Sequence, residues 1–208
     1  MSGQPRRALI VIDVQNEYVS GNLLIEYPDV NSSLANIARA MDAAHAAGIP
    51  VVVVRHLAPE SSPLFARGSE GAELHPLVAA RHCDHRVEKS MASALAGTGL
   101  GDWLRERGVD TLTVVGYMTH NCDDATVRQA RHEGWTVELL YDAAGSVPYA
   151  NARGSATAEE IHRVFTVVMH TGFAAVVSTD DWLAAVARGE PLLPDNIHLS
   201  NQRVVNGR

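Results

Sequence analysis

The stretch Ala8-Leu-Ile-Val-Ile-Asp-Val14 is a nearly unbroken apolar run, rich in β-branched residues, with an acid close to its end. Continuous rather than alternating apolar character marks a strand buried on both faces. Four further runs read the same way: Val51 to Arg55, Thr111 to Val115, Thr136 to Leu140 and Ala174 to Ser178. Arg86 to Glu88 is a shorter sixth candidate.

Helical spacing fills the intervals. From Asn31 to Gly48 apolar residues recur at Leu34, Ile37, Ala38 and Met41, with Asn31 or Ser32 as the cap and Gly48 as the stop. Thr98 to Gly108, Asn121 to Gly134 and Ser155 to Gly172 carry similar patterns, the last with the stripe Ile161, Val164, Phe165, Val168 and Met169. Asp180 to Gly189 begins on an aspartate cap. Strands alternating with helices predict a single α/β domain over residues 1–208. Its architecture is three-layer α/β/α and Rossmann-like, a central parallel sheet of about six strands with helices on both faces. Leu57 to His85 and Ala143 to Gly154 are longer than ordinary connections, which points to functional or interfacial loops. The polar tail from Pro191 is either mobile or a subunit contact.

Apolar residues make up 46% of the chain and charged residues 20%, with a net charge of −7 and no long basic run. This argues against a nucleic acid or an anionic membrane as partner and leaves small molecules and proteins. The apolar stretches, such as Ile49 to Val54, are far too short to span a bilayer. Two cysteines, Cys83 and Cys122, make no disulfide framework, and Met1 to Arg7 is not followed by signal-peptide architecture, so a cytoplasmic location is expected.

In an open parallel sheet, ligands bind beyond the carboxyl ends of the strands. Asp13, Lys89 and Cys122 all fall at that edge. Cys122 ends Gly116-Tyr-Met-Thr-His-Asn-Cys122, just where a helix begins, and the unpaired N–H groups and dipole there favour thiolate over thiol. Asp13 reads as a general base for that thiol, or as a cap or loop tie. Lys89 reads as a cation that steadies both, or as an ordinary surface lysine. Cys122 reads as a nucleophile, or as a buried structural thiol. His82-Cys83-Asp84-His85 lacks a second ligand pair at zinc spacing, so no metal is expected there. His120 is a second base or a substrate contact. Gly68, Gly71, Gly97, Gly99 and Gly101 form no phosphate-cradling motif, and no cofactor is expected.

Taken together, the chain resembles the isochorismatase-like cysteine hydrolases, a group that includes nicotinamidases, N-carbamoylsarcosine amidases and isochorismatases. The resemblance rests on Ala8 to Asn16; on Ser62-Pro-Leu-Phe65 through Gly68-Ser-Glu-Gly71 to Leu74-His-Pro76; and on Lys89 with Gly97-Thr-Gly-Leu100. It continues through Gly116 to Cys122 with Thr126 and Ala130, and Asp142-Ala143. It implies a catalytic triad of Asp13, Lys89 and Cys122, a cis peptide between Tyr117 and Met118, and an oxyanion hole from the N–H groups of Met118 and Cys122. It also implies hydrolysis of a small amide or carbamoyl compound through a thioester. The long Leu57 to His85 loop and the C-terminal tail offer exchangeable surface, so a homo-oligomer (dimer or tetramer) is expected. By analogy the pocket is lined by Tyr18, Arg55, His56, His120, Asp123 and Tyr149.

The sequence departs from the family pattern in places. Asp123 stands where a small apolar residue is usual; it favours a cationic substrate or caps the helix. Ala94 and Leu95 replace an aromatic segment, so a pocket wall is expected to be missing. Arg55-His56-Leu57 lacks the Asp-x-His ligand pair of metal-containing nicotinamidases. Two other functions compete with amide cleavage. One is vinyl-ether hydrolysis of an isochorismate-like substrate, with Asp13 as acid and no nucleophile. The other is a catalytically silent interaction module on the same scaffold.

Overall fold

The computed structural model describes residues 3–207. Six strands form one parallel sheet: β1 (Arg7–Ile12), β2 (Val51–His56), β3 (His85–Lys89), β4 (Thr111–Tyr117), β5 (Thr136–Gly145) and β8 (Ala175–Val177), in the order β3-β2-β1-β4-β5-β8. A separate antiparallel pair, β6 (Tyr149–Asn151) and β7 (Gly154–Ala156), projects from the loop after β5 with its residues mostly exposed. The helices are α1 (Val30–Ala46), the single turn α2 (Pro76–Ala79), α3 (Leu100–Glu106), α4 (Asp124–His132), α5 (Ala158–His170), α6 (Thr179–Arg188) and α7 (Ile197–Asn206).

Alternate residues of each strand feed opposite cores, because successive side chains of a strand point to opposite faces. Leu9, Val11, Val51 and Val53 pack with Ile37 and Met41 of α1 and Trp182 of α6. Ala8, Ile10, Ile12, Val52 and Val54 pack with Leu100 and Leu104 of α3, Val127 of α4 and Met169 of α5. This two-sided burial makes the strands read as continuous rather than alternating.

Several helix starts differ from the expected ones for capping reasons. Asp29, not Asn31 or Ser32, caps α1 through the Ser32 N–H. Thr157 caps α5 in a reciprocal box with Glu160, so the helix begins at Ala158, three residues beyond the Ser155 start. Ser178 rather than Asp180 caps α6. The tail is more ordered in form than expected: residues 197–206 are a helix capped by Asn196. None of its residues is buried, and Ile197, Leu199, Val204 and Val205 are exposed.

The carboxyl end of β1 turns sharply. Asp13 adopts φ 51°, a left-handed conformation that Asp tolerates better than most residues. The neighbouring β4 comes so close that a Cβ on Gly116 (φ 121°) would lie 2.0 Å from the Ile12 carbonyl oxygen. Only glycine fits there, and the approach brings the segment after β4 beside Asp13.

Candidate active site

The turn after β4 positions the sulfur. The Tyr117–Met118 peptide is cis. Thr119–Asp123 then form one wide π turn, in which the Asp123 N–H donates to Met118 O at 3.2 Å. Cys122 therefore lies in a π turn and not at the first residue of a regular helix, and α4 starts at Asp124. Thr126 fixes this turn by donating to Cys122 O (2.7 Å) and accepting from the Ala94 N–H (2.9 Å). The loop after β3 is thus tied to the cysteine.

Lys89, at the end of β3, is the hub. Its Nζ lies 2.7 Å from Asp13 Oδ2, and both side chains have no exposed surface. The same ammonium donates to Met91 O (3.1 Å) and Cys122 Sγ (3.3 Å), and lies 3.3 Å from His56 Nδ1. An ammonium has three protons and no lone pair, so Nδ1 is the acceptor of a neutral imidazole. Burial and the nearby ammonium lower the proton affinity of His56, in agreement with that tautomer. His56 shares register with Lys89 across the β2–β3 pair, so both project from one face. Arg55 and Glu88 project from the other. Arg55 is ion-paired with Glu73 (3.1 Å) and Glu88 (2.7 Å), outside the group around the sulfur.

Asp13 is buried; its Oδ2 is ion-paired with Lys89, and hydrogen bonding from Lys89 and Cys122 lowers its proton affinity, although the angles at both oxygens are poor. Burial raises its proton affinity, and Lys89 opposes that without cancelling it. The Lys89 ammonium holds its proton more tightly than usual: burial works against it, but Asp13 and Cys122 prevail. The resting sulfur differs from the sequence expectation. Burial and then the Asp13 charge push the Cys122 thiol up, Lys89 notwithstanding, so at rest it is a thiol and not a thiolate. The helix end does not offset the loss of water around a group that is 5% exposed. The arrangement suits proton transfer from sulfur to a receptive carboxylate with an ammonium beside both.

Tyr18 is buried, in tilted contact with Phe65 (5.1 Å between centroids) and Tyr117 (5.5 Å). His56 meets Phe65 edge-on at 5.4 Å. Phe65, from the long loop after β2, therefore sets an aromatic ring against His56, whereas Ala94 and Leu95 pack in the core on the opposite face of the sheet. His120 bonds Ser146 Oγ through Nδ1 (3.1 Å) and packs edge-on against Tyr149 of β6 (5.1 Å). Burial lowers its pKa to about 4, so it is neutral near pH 7. Tyr149 is 43% exposed, and its phenol is pushed up by burial and by Cys122, which places it at the rim. A polar cavity of about 300 Å³ opens beside Lys89, Ser90 and Thr98.

Asp123 does not cap α4: its side chain makes no cap hydrogen bond. The sequence reading also left Gln15 without a role. Its buried amide donates to His56 O (2.9 Å) and Ala72 O (2.7 Å) and accepts from the His56 N–H (2.9 Å), clamping the ends of β1 and β2 to the long loop. The polar residue in a buried run two positions after Asp13 was the available signal. His82 and His85 face different ways, towards His45 (5.6 Å) and Trp103 (4.7 Å) respectively. Among the described residues no group of three or more His, Cys, Asp and Glu side chains is arranged to hold a metal ion.

Comparison with known proteins places this geometry in context. A family model described as an isochorismatase domain matches residues 7–181. The crystal structure of an isochorismatase candidate from Burkholderia xenovorans LB400 is 66% identical, covers 99% of each chain and superposes with a TM-score of 0.97. A secreted isochorismatase effector of Verticillium dahliae is 34% identical over 66% of this chain and 71% of its own. A ureidoacrylate amidohydrolase of Methylobacterium radiotolerans is 28% identical over 89% of this chain and 78% of its own.

Proposed function

The chain belongs to the isochorismatase family, and on that premise we propose that it is a cysteine-dependent hydrolase that cleaves the C–N bond of a small amide or carbamoyl compound through a thioester. One observation carries this reading: the Lys89 ammonium lies 2.7 Å from the Asp13 carboxylate and 3.3 Å from the Cys122 sulfur, with all three residues buried. The amidohydrolase relative supports the bond type.

In this reading Asp13 takes the thiol proton as Cys122 attacks the carbonyl carbon. The tetrahedral oxyanion is met by the N–H groups of Met118 and Cys122, each such donor typically contributing about 3 kcal/mol to lowering the barrier. Asp13 then gives its proton to the departing nitrogen, the C–N bond breaks, and an acyl group remains on sulfur. Water attacks the thioester with Asp13 as base, releasing the acid and restoring the thiol. Lys89 stays charged throughout and keeps the charge of the crevice balanced. Tyr18, His56, His120 and Tyr149 shape the approach. A cytoplasmic homo-oligomer is part of the same proposal, and sedimentation of the purified chain tests the assembly.

Vinyl-ether hydrolysis is the second reading. The Verticillium relative carries that family's name. Cys122→Ala separates the two. Ammonia or amine release from a panel of amides, carbamoyl amines and hydroxamates should fall roughly 10⁴-fold or more. An alanine enzyme that hydrolyses an isochorismate-like vinyl ether as fast as the parent would replace the amidase reading with the ether one.

A further inference from the structure

Asp123 has no place in the mechanism above, yet it directly follows Cys122 in the chain and is fully buried. Its exposure is 0%, and neither carboxylate oxygen has a hydrogen-bond partner. A carboxyl that caps a helix or ties a loop would have one, so neither role explains it. The charged and titratable groups that act on it come from several elements: Asp13 at the end of β1, Lys89 at the end of β3 and Asp124 at the start of α4. In turn it acts on the phenols of Tyr18 and Tyr117. Asp124 is answered by Arg128, at 2.8 and 2.9 Å. Lys89 is the one cation that favours an ionised Asp123 among the described residues, and it is in contact with Asp13.

The charge balance follows. Two buried carboxyls share one ammonium, so one of them is neutral. Asp13 touches the ammonium and is the anion; Asp123 touches no donor and is the acid. We propose that Asp123 is a positioning residue of the catalytic group, a second carboxyl held uncharged, whose proton spares the adjoining Cys122 a second neighbouring anion and so lets the sulfur give up its proton more readily. Burial, then the Asp13 charge, raise its proton affinity far above that of an ordinary carboxyl, in keeping with this assignment. Once Asp123 ionises, an uncompensated anion stands beside the pair. Proton removal from sulfur then becomes harder, and the thiol loses reactivity relative to an enzyme lacking that anion. The inference rests on Asp13 and Cys122 being the reacting pair of the proposed function.

Two measurements on the intact chain test it. With aspartate labelled at the carboxyl carbon, the Asp123 resonance, assigned by its loss in Asp123→Asn, should show the shift of a protonated acid at pH 7. An ionised shift there overturns the proposal. Alkylation of Cys122 by iodoacetamide is then followed against pH in the parent, Asp123→Asn and Asp123→Val proteins. The three should agree in acid. Above the pH at which the Asp123 signal titrates, the parent should fall behind both variants by roughly tenfold. Coincident profiles, or a constant offset at every pH, contradict it, because a merely structural residue would not move the curve along the pH axis. If one variant fails to fold, the other gives the comparison. Alkylation needs no substrate, so failure here leaves the hydrolase reading intact, whereas a fully active Cys122→Ala enzyme ends that reading by a separate route.

Discussion

Two ion pairs are buried in this sheet, one towards each end of its strands, and they are built differently. Towards the amino ends, Arg7 of β1 meets Glu138 of β5 with contacts of 2.8 to 3.1 Å, and Arg7 also donates to Glu190 O at 2.7 Å. Thr113 and Trp182 donate to the same carboxylate at 2.7 and 3.0 Å. At the carboxyl ends, Lys89 holds Asp13, but no aligned donor reaches either oxygen, and a second bare carboxyl, Asp123, lies close by. A satisfied buried pair holds strands in place; an unsatisfied one retains proton affinity. The same fold thus uses buried charge as a clamp at one end and as a reagent at the other.

The sharpest way to break this contrast is to remove one carboxylate from each pair. Glu138→Ala should cost about 3–5 kcal/mol of stability, since Arg7 is left buried and uncompensated. The folded fraction should still turn over within a few-fold of the parent; denaturant melts and active-site-normalised rates measure the two effects. Asp13→Asn also strands a buried cation, Lys89, and should cost stability on the same ground, but it should in addition lower kcat/KM by roughly 10³–10⁴-fold. Equal activity losses at the two ends would erase the distinction.

A smaller effect is expected at Asp123. Replacing this unpartnered acid by Val should stabilise the chain by about 1–3 kcal/mol at neutral pH. Denaturant midpoints test this, and a loss of stability would mean that the acid has a partner after all.

The pH dependence sharpens the comparison further. Asp13 and Asp123 both have raised folded-state proton affinities. Their contribution to stability is therefore full below the unfolded carboxyl value of about 3.9 and is lost as pH rises through the folded values. The stability of Asp123→Asn relative to the parent should rise from pH 4 to pH 8, and a constant difference would contradict the assignment. In activity, kcat/KM should fall on acidification at a pH above the ordinary carboxylate range, as Asp13 takes up its proton. The smallest effect is reserved for exposed charge: Arg6→Ala removes a pair with Asp110 whose side chains are 67% and 46% exposed, and should change stability by less than ~1 kcal/mol.

The sheet was legible because its strands are buried on both faces, so Ala8 to Val14 and its counterparts stand out as unbroken apolar runs. The placement of Asp13, Lys89 and Cys122 at one edge followed from topology alone. The state of the sulfur did not, because it depends on how deeply the π turn buries Cys122 and on how closely Asp13 approaches, and neither is local in sequence. Phe65 and Gln15 were hidden for a similar reason: each acts across a long loop whose path is set by tertiary contacts. The separate roles of Arg55 and His56 hang on strand phase. A shift of one residue exchanges the side chain facing Lys89 for the one facing Glu73, and only the β2–β3 register fixes it.

The most direct test of the central claim is to look for the acyl group on sulfur. The enzyme is mixed in excess over an amide that it hydrolyses, quenched in acid within one turnover, and its intact and peptide masses are read. The account predicts a mass increment equal to the acyl portion, located on Cys122 and discharged by hydroxylamine, with none in Cys122→Ala. Product release without any adduct, by a Cys122→Ala protein as fast as the parent, would contradict it.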